Sequence, residues 1–359
     1  MTNINVTKIF LPQIKEYVHY LDKIWASNIV TNRGELINKF EKLLKDRISS
    51  NYCLCINNGT IALQILLKSL KRQNGEIITT PFSYVATTSS IVWEGFKPIF
   101  IDLNQNSFNV NIDTIEEKIT NNTRAILLTH IYGIPENIEA VEAIARKHNL
   151  PLFYDGAHAI GVKYKGKSLL AYGDASTCSF HATKLLHCGE GGAIFTNSKK
   201  LYDTCYKLHN FGHEGYEIID HLGINGKMSE LNAAMGLSVL PYLEQLIQKR
   251  KSIFEMYQSN LKTEVHSIQI PDNVEWNYSY FPILCKSESD LKLIQSQMQS
   301  LNIFPRRYFY PSLNTLPYLK YQKMENAESV SKRVLCLPFH HDLTQDDVVD
   351  IAKIVNKYY

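Results

Sequence analysis

From about residue 50 the chain alternates short β-branched runs with longer stretches of helical period, the pattern of parallel βαβ units. "CLCIN" (53–57) leads into "TIALQILLKSL" (60–70), "EIITT" (76–80) into "YVATTSSIVWEG" (84–95), and "PIFID" (98–102) into "IDTIEEKI" (112–119). Two further strands, "AILLTH" (125–130) and "LPLFYD" (150–155), bracket the helix "NIEAVEAIARKHN" (137–149), for which Asn137 is a candidate N-cap. A mostly parallel sheet is expected. The pattern then changes. Between Ser176 and Asn197 two short strands flank a loop, and from Met228 the helices "MSELNAAMGLSVL" and "YLEQLIQKRKSIFEMYQSNL" bridge to a remainder that mixes "SYFPILCK" (279–286) with "ESDLKLIQSQMQSL" (288–301). The expected division is a large α/β domain over 1–245 and a small α+β domain over 246–359.

Composition narrows the function classes. A chain of 359 residues with 45% hydrophobic and 20% charged residues is ordinary globular protein. Its formal net charge of +3 is spread through the sequence, so no basic field for nucleic acid or an anionic membrane is present, and small-molecule partners are expected. Seven cysteines form no CxxC doublet or paired framework, which points to reduced thiols and a cytoplasmic setting. No run reaches the ~18 apolar residues of a membrane helix, and the opening "MTNINVTKIF" does not read as an export signal.

In open α/β sheets ligands lie beyond the carboxyl ends of the strands. After the first strand, "NNGT" offers Gly59, where backbone can approach an anion, and Thr60 at a helix start whose free N–H groups and dipole favour phosphate. Such a dipole is worth only about 0.3–2 kcal/mol, so hydroxyls must add to it; Thr60 and Ser179 are the candidates. Tyr84 in "PFSYVAT" sits at the same edge, where its ring can lie against a planar group. Asp155 in "YDGAHA" is a carboxylate at a strand end, a position that calls for a cationic partner. His158 follows three residues later and has a role only if Asp155 does. Lys184 stands in "SFHATKLLHCGEGGA", between small hydroxyl residues and glycines. A cationic ring nitrogen for Asp155, a flat face for Tyr84, a phosphate for Thr60 and Ser179 and an amine at Lys184 are jointly what pyridoxal 5′-phosphate requires, with Lys184 as its Schiff-base amine and, once released, as general base.

At these residues the chain resembles the DegT/DnrJ/EryC1/StrS family of nucleotide-sugar aminotransferases. The matching elements are "NNGTIAL", "PFSYVATTSSI", "FIDL", "YDGAHAIG", "SFHATKLLHCGEGGAI" and "GKMSELNAAMGL". The resemblance implies a type I aminotransferase fold, with a mostly parallel seven-stranded sheet and a small C-terminal domain. It also implies Lys184 and Asp155 as catalytic residues and Gly59, Thr60, Tyr84, His158 and Ser179 around the cofactor, which would cycle through its pyridoxamine 5′-phosphate form. A homodimer follows, with Asn225 in "GINGKMSE" reaching the partner's phosphate. The segment "FPRRYFYPSLNTLPY" (304–318) is similar to one that lies near the active site in members acting on dTDP-linked 6-deoxy ketosugars, making Arg307 and Tyr308 candidate substrate contacts. The expected reaction is amino transfer from L-glutamate to dTDP-4-keto-6-deoxyglucose, giving dTDP-4-amino-4,6-dideoxyglucose for surface polysaccharide. A C3 aminotransferase and a non-catalytic regulatory member are the alternatives.

Three rivals fit less well. A dehydratase branch of the same family has histidine where Lys184 stands. A P-loop reading of "GAHAIGVK" (156–163) puts the lysine one place late with no Ser or Thr after it. A zinc site from His181, His187 and Cys188 requires adjacent residues to point at one ion, and His340 with His341 has no better spacing.

Overall fold

The computed structural model describes residues 3–71 and 74–359. Seven strands form the central sheet: β1 (Tyr52–Ile56), β2 (Gly75–Thr79), β3 (Phe96–Phe100), β4 (Thr123–Thr129), β5 (Leu152–Asp155), β6 (Ala175–Ser179) and β7 (Gly192–Thr196). They lie in the order β1-β7-β6-β5-β4-β2-β3. All pairings are parallel except those of β7, which runs antiparallel to both β1 and β6. The fold class expected from the sequence is the one observed.

The sheet is apolar on both faces because both are covered, as parallel sheets require. Side chains alternate between two cores: Cys53, Cys55, Ile78, Ile126 and Leu128 face one, and Leu54, Ile56, Ile77, Ala125 and Leu127 face the other. That is the period of two read directly as layers.

Helices α1 (Ile14–Ser27) and α2 (Glu35–Ile48) precede the sheet. Helix α3 (Gly59–Lys68) starts one residue before the expected point, since the Asn58 side chain accepts from the Ile61 N–H at 2.9 Å. Helix α4 (Val85–Trp93) follows β2, and α5 (Ile138–Lys147) is capped by Asn137, whose side chain accepts from the Ala140 N–H. The helix expected over 112–119 shrinks to one 3₁₀ turn, Ile112–Thr114, and four α residues, Ile115–Lys118. At eight residues with a β-branched start it is below the length at which helices sustain themselves.

Helix α6 (Leu243–Asn260) leads into the C-terminal part, where the antiparallel pair β8 (Phe281–Leu284) and β9 (Val334–Leu337) packs with helices Glu288–Ser300, Glu325–Arg333 and Gln345–Tyr358. The N-terminal strand is tied to this C-terminal part: Ile4–Asn5 pairs parallel with Ile303–Phe304. The segment between α6 and β8 crosses the large sheet. Val274–Glu275 joins the hairpin Lys163–Tyr164/Lys167–Ser168, the Trp276 indole donates to the Tyr132 carbonyl, and the Asn277 amide donates to the His158 and Ile160 carbonyls at 2.8 and 2.7 Å. These bonds deliver Tyr280 to the strand ends.

Candidate active site

The carboxyl ends of β1, β2, β4, β5 and β6 open into one cavity of about 690 Å³, whose lining includes Gly59, Thr60, Tyr84, Asp155, His158, Ser179, Lys184 and Tyr308. Lys184 rides on the loop between β6 and β7, which is pinned shut by Phe180 N–H to the Gly191 carbonyl, Ala182 N–H to Gly189 and Cys188 N–H to Phe180. Gly189 takes a φ of 77° at the turn. Gly192 is a close approach: a Cβ there would lie 2.6 Å from the Asn58 carbonyl carbon and 2.8 Å from the Gly59 nitrogen. The loop therefore presses β7 against the start of α3.

Asp155 ends β5 and is 5% exposed. Its Oδ2 accepts from the Thr87 hydroxyl at 2.8 Å and its Oδ1 from the Ala157 N–H at 3.1 Å. Burial pushes its carboxyl above the usual carboxylate range, and these two donors and the Lys184 charge oppose that only in part. The Thr87 hydroxyl lies 2.9 Å from Ser83 Oγ, itself 3.2 Å from Thr129 Oγ1. A hydroxyl has one proton, so an ionised Asp155 orients the chain: Thr129 donates to Ser83, Ser83 to Thr87 and Thr87 to the carboxylate.

The Lys184 ammonium donates to the Tyr280 hydroxyl at 3.2 Å. His158 is buried, and burial together with the Lys184 charge holds it well below the usual imidazole range, so it is neutral. Its Nδ1 accepts from the Tyr132 N–H at 3.2 Å, which leaves Nε2 as the protonated nitrogen. The ring lies parallel to Phe309, 5.6 Å between centroids.

At the opposite end, Gly59 packs on Ser179: a Cβ on Gly59 would meet the Ser179 Cβ at 2.9 Å. The Ser179 hydroxyl and the first N–H groups of α3 thus converge where only a glycine fits, a cradle suited to phosphate. Tyr84 immediately precedes α4, 60% exposed at the cavity wall.

Arg307 does not line this cavity, and neither does Asn225, which was expected to reach a partner's phosphate and not this one. Arg307 faces away, paired with Glu288 Oε1 at 3.0 Å and donating to the Ser331 and Lys332 carbonyls. Its neighbour Arg306 lines the cavity. Asn225 is exposed, bridged to Asn210 on a separate surface of the chain. Thr87, Ser83, Thr129, Tyr280 and Arg306 were not singled out from sequence, although Ser83 and Thr87 stand four apart and share a face. Of the zinc candidates, His187 Nε2 bonds the Phe10 carbonyl at 2.6 Å and His181 Nδ1 the Thr183 hydroxyl at 2.9 Å. Among the described residues no helix is long and apolar enough to cross a membrane, and all seven cysteines are buried and free.

Known proteins resemble this chain in sequence and in fold. A dTDP-4-amino-4,6-dideoxy-D-glucose transaminase of Shigella dysenteriae is 41% identical over 98% of both chains. An Escherichia coli protein of the same description is 36% identical, again over 98% of each. The crystal structure of DesI with its TDP-sugar product superposes with a TM-score of 0.94 at 26% identity, covering 99% of this chain and 93% of that one. A Streptococcus pneumoniae sugar aminotransferase in its PLP form shares the fold over 100% of both chains, at 21% identity and a TM-score of 0.90. Residues 13–356 match the family's sequence pattern, and the chain belongs to the DegT/DnrJ/EryC1/StrS aminotransferase family.

Proposed function

We propose that this chain transfers an amino group from L-glutamate to dTDP-4-keto-6-deoxyglucose, giving dTDP-4-amino-4,6-dideoxyglucose, with pyridoxal 5′-phosphate held at Lys184. The observation that carries the reading is that a buried Asp155 and the Lys184 amine line one cavity together with Gly59, Thr60 and Ser179. The nature of the sugar and its nucleotide follows the two relatives at 41% and 36% identity, both dTDP-4-amino-4,6-dideoxy-D-glucose transaminases.

The donor set fits that cofactor. Asp155 is a buried carboxylate that, among the described residues, has no arginine or lysine in salt-bridge contact, which suits a pyridinium nitrogen. Gly59, Thr60 and Ser179 would hold its phosphate through N–H and O–H donors, and Tyr84 and His158, which line the same cavity, would hold its ring. When bound, the group serves as an electron sink for the carbon that loses its proton. The rest of the work falls to the protein. Lys184 Nζ takes the proton from the amino donor's Cα and returns one to the sugar carbon, with Tyr280 Oη holding the amine in reach between these events. Phe309 and Tyr308 on the cavity wall exclude water from that transfer.

The enzyme works as a homodimer in the cytoplasm. Trp25 and Leu222, 70% and 79% exposed, belong to a run of uncovered apolar side chains over the N-terminal region and the segment 211–224. Such a surface suits a second copy, and Asn225 borders it. The decisive experiment supplies the purified protein with pyridoxal 5′-phosphate, L-glutamate and the dTDP-4-ketosugar and identifies the product by mass spectrometry and NMR. An aminosugar bearing nitrogen at C4, lost with Lys184→Ala, is expected. Turnover of the 3-keto isomer alone would overturn the C4 assignment.

A further inference from the structure

The sequence "FPRR" sets two arginines side by side, and backbone alternation lets only one of them face the cavity. The register is fixed at the first. The Arg306 N–H donates to the Cys336 carbonyl at 3.1 Å and its own carbonyl accepts from the Cys336 N–H at 2.8 Å. Arg307 consequently points the other way, where its Nη2 is engaged. It pairs with Glu288, bonds carbonyls in the last turn of helix Glu325–Arg333, and lies 3.6 Å from the centroid of the Tyr310 ring.

Arg306 has the opposite circumstances. It is exposed and lines the cavity shared with Lys184. The Tyr308 phenol is its neighbour, and among the described residues it enters no ion pair. The other charged lining groups have their own arrangements: Asp155 is bound by Thr87 and Ala157, Lys184 by Tyr280, and Glu190 stands beside His181. A guanidinium left in an open cavity without a carboxylate offers a planar fork of donors to an oxyanion.

We infer that Arg306 recognises the oxyanion of an incoming substrate, while Arg307 is a strut between Glu288 and the end of helix Glu325–Arg333. The inference rests on the transaminase reading, in which both substrates carry such groups: the carboxylates of the amino donor and the diphosphate of the nucleotide-linked sugar. Because the two substrates use the cavity in turn, one cation can serve either.

The test compares Arg306→Gln, Arg306→Lys and Arg307→Gln holoenzymes. Each half-reaction is followed separately through the cofactor's absorbance, with L-glutamate in one arm and the dTDP-ketosugar in the other, and dTDP is titrated calorimetrically as a probe independent of turnover. A lost charge-assisted contact raises KM about 10- to 100-fold in R306Q with unchanged cofactor absorbance. A rise confined to glutamate assigns the carboxylate; a rise for the ketosugar with weakened dTDP binding assigns the diphosphate. R306K recovers part of the loss, and R307Q lowers Tm while leaving both KM values in place. Unchanged KM values and dTDP affinity in R306Q, or a KM effect in R307Q alone, would overturn the assignment. If the wild-type protein fails to transaminate, the parent reading falls, but the dTDP titration still judges Arg306.

Discussion

Thr87→Val isolates the hydroxyl chain that ends on Asp155. The substitution is nearly isosteric, removes the donor 2.8 Å from Oδ2 and leaves the Ser83 hydroxyl without its acceptor. A hydrogen bond to an ionised group contributes roughly 1.5–3 kcal/mol, equivalent to about 1–2 pKa units. Asp155 in the cofactor-free protein already sits above the usual carboxylate range through burial, and Thr87 acts downward on it. The variant's carboxyl therefore moves further up. A raised carboxyl pKa contributes stability that is present below the unfolded value and lost as pH rises through the folded one. The variant and wild type should differ least below the ordinary carboxylate range and by about 1.5–3 kcal/mol once the pH has passed the variant's raised value, read by urea unfolding of the cofactor-free proteins. Cofactor affinity should fall about 10- to 100-fold in a spectral titration, because an acid that is harder to ionise gives less to a cationic ring nitrogen. Ser83→Ala, one link further out, should show a smaller version of both effects. A stability difference independent of pH, together with unchanged cofactor affinity, would refute the electrostatic reasoning and reduce Thr87 to packing.

The parts of this molecule that local chemistry determines were legible in its sequence. Strand periodicity gave the sheet, and the residues just past the strands, Gly59, Tyr84, Asp155 and Ser179, do share one cavity with Lys184. What remained hidden depends on distant partners. Helix α2 has no local cap: Gly34 precedes it, and the Glu230 carboxylate accepts from the Leu36 and Ile37 N–H groups across 194 and 193 residues. Tyr280 reaches Lys184 from 96 residues away, carried there by the Trp276 and Asn277 bonds. Arg306 and Arg307 are indistinguishable until the pairing with Cys336 sets which of them faces inward. A one-residue slip there exchanges a ligand contact for a strut, and nothing in the local sequence resolves it.

Tyr280→Phe should leave cofactor attachment intact and lower kcat about 2- to 10-fold, with a shift in the basic limb of its pH profile, because the removed contact is a single hydrogen bond to the Lys184 amine. Gly192→Ala drives a Cβ into the backbone of Asn58 and Gly59, so a loss of about 1–3 kcal/mol is expected in thermal unfolding, with weaker cofactor binding because the cradle itself moves. Glu136 is a buried carboxyl outside the cavity lining. Its Oε1 accepts from the Val110 N–H at 3.2 Å, its Oε2 has no partner, and burial pushes the carboxyl up to about 8. The stability this group supplies is present below its unfolded value and is lost as pH rises through about 8, where the fold must hold a poorly solvated carboxylate. Glu136→Gln keeps the shape and cannot ionise, so it should match wild type near pH 5 and exceed it near pH 9, by on the order of 3–5 kcal/mol at the limit. Parallel stability curves for the two proteins over that range would mean that water or a rearranged loop reaches the carboxylate, and that this corner of the large domain opens before it pays the electrostatic penalty.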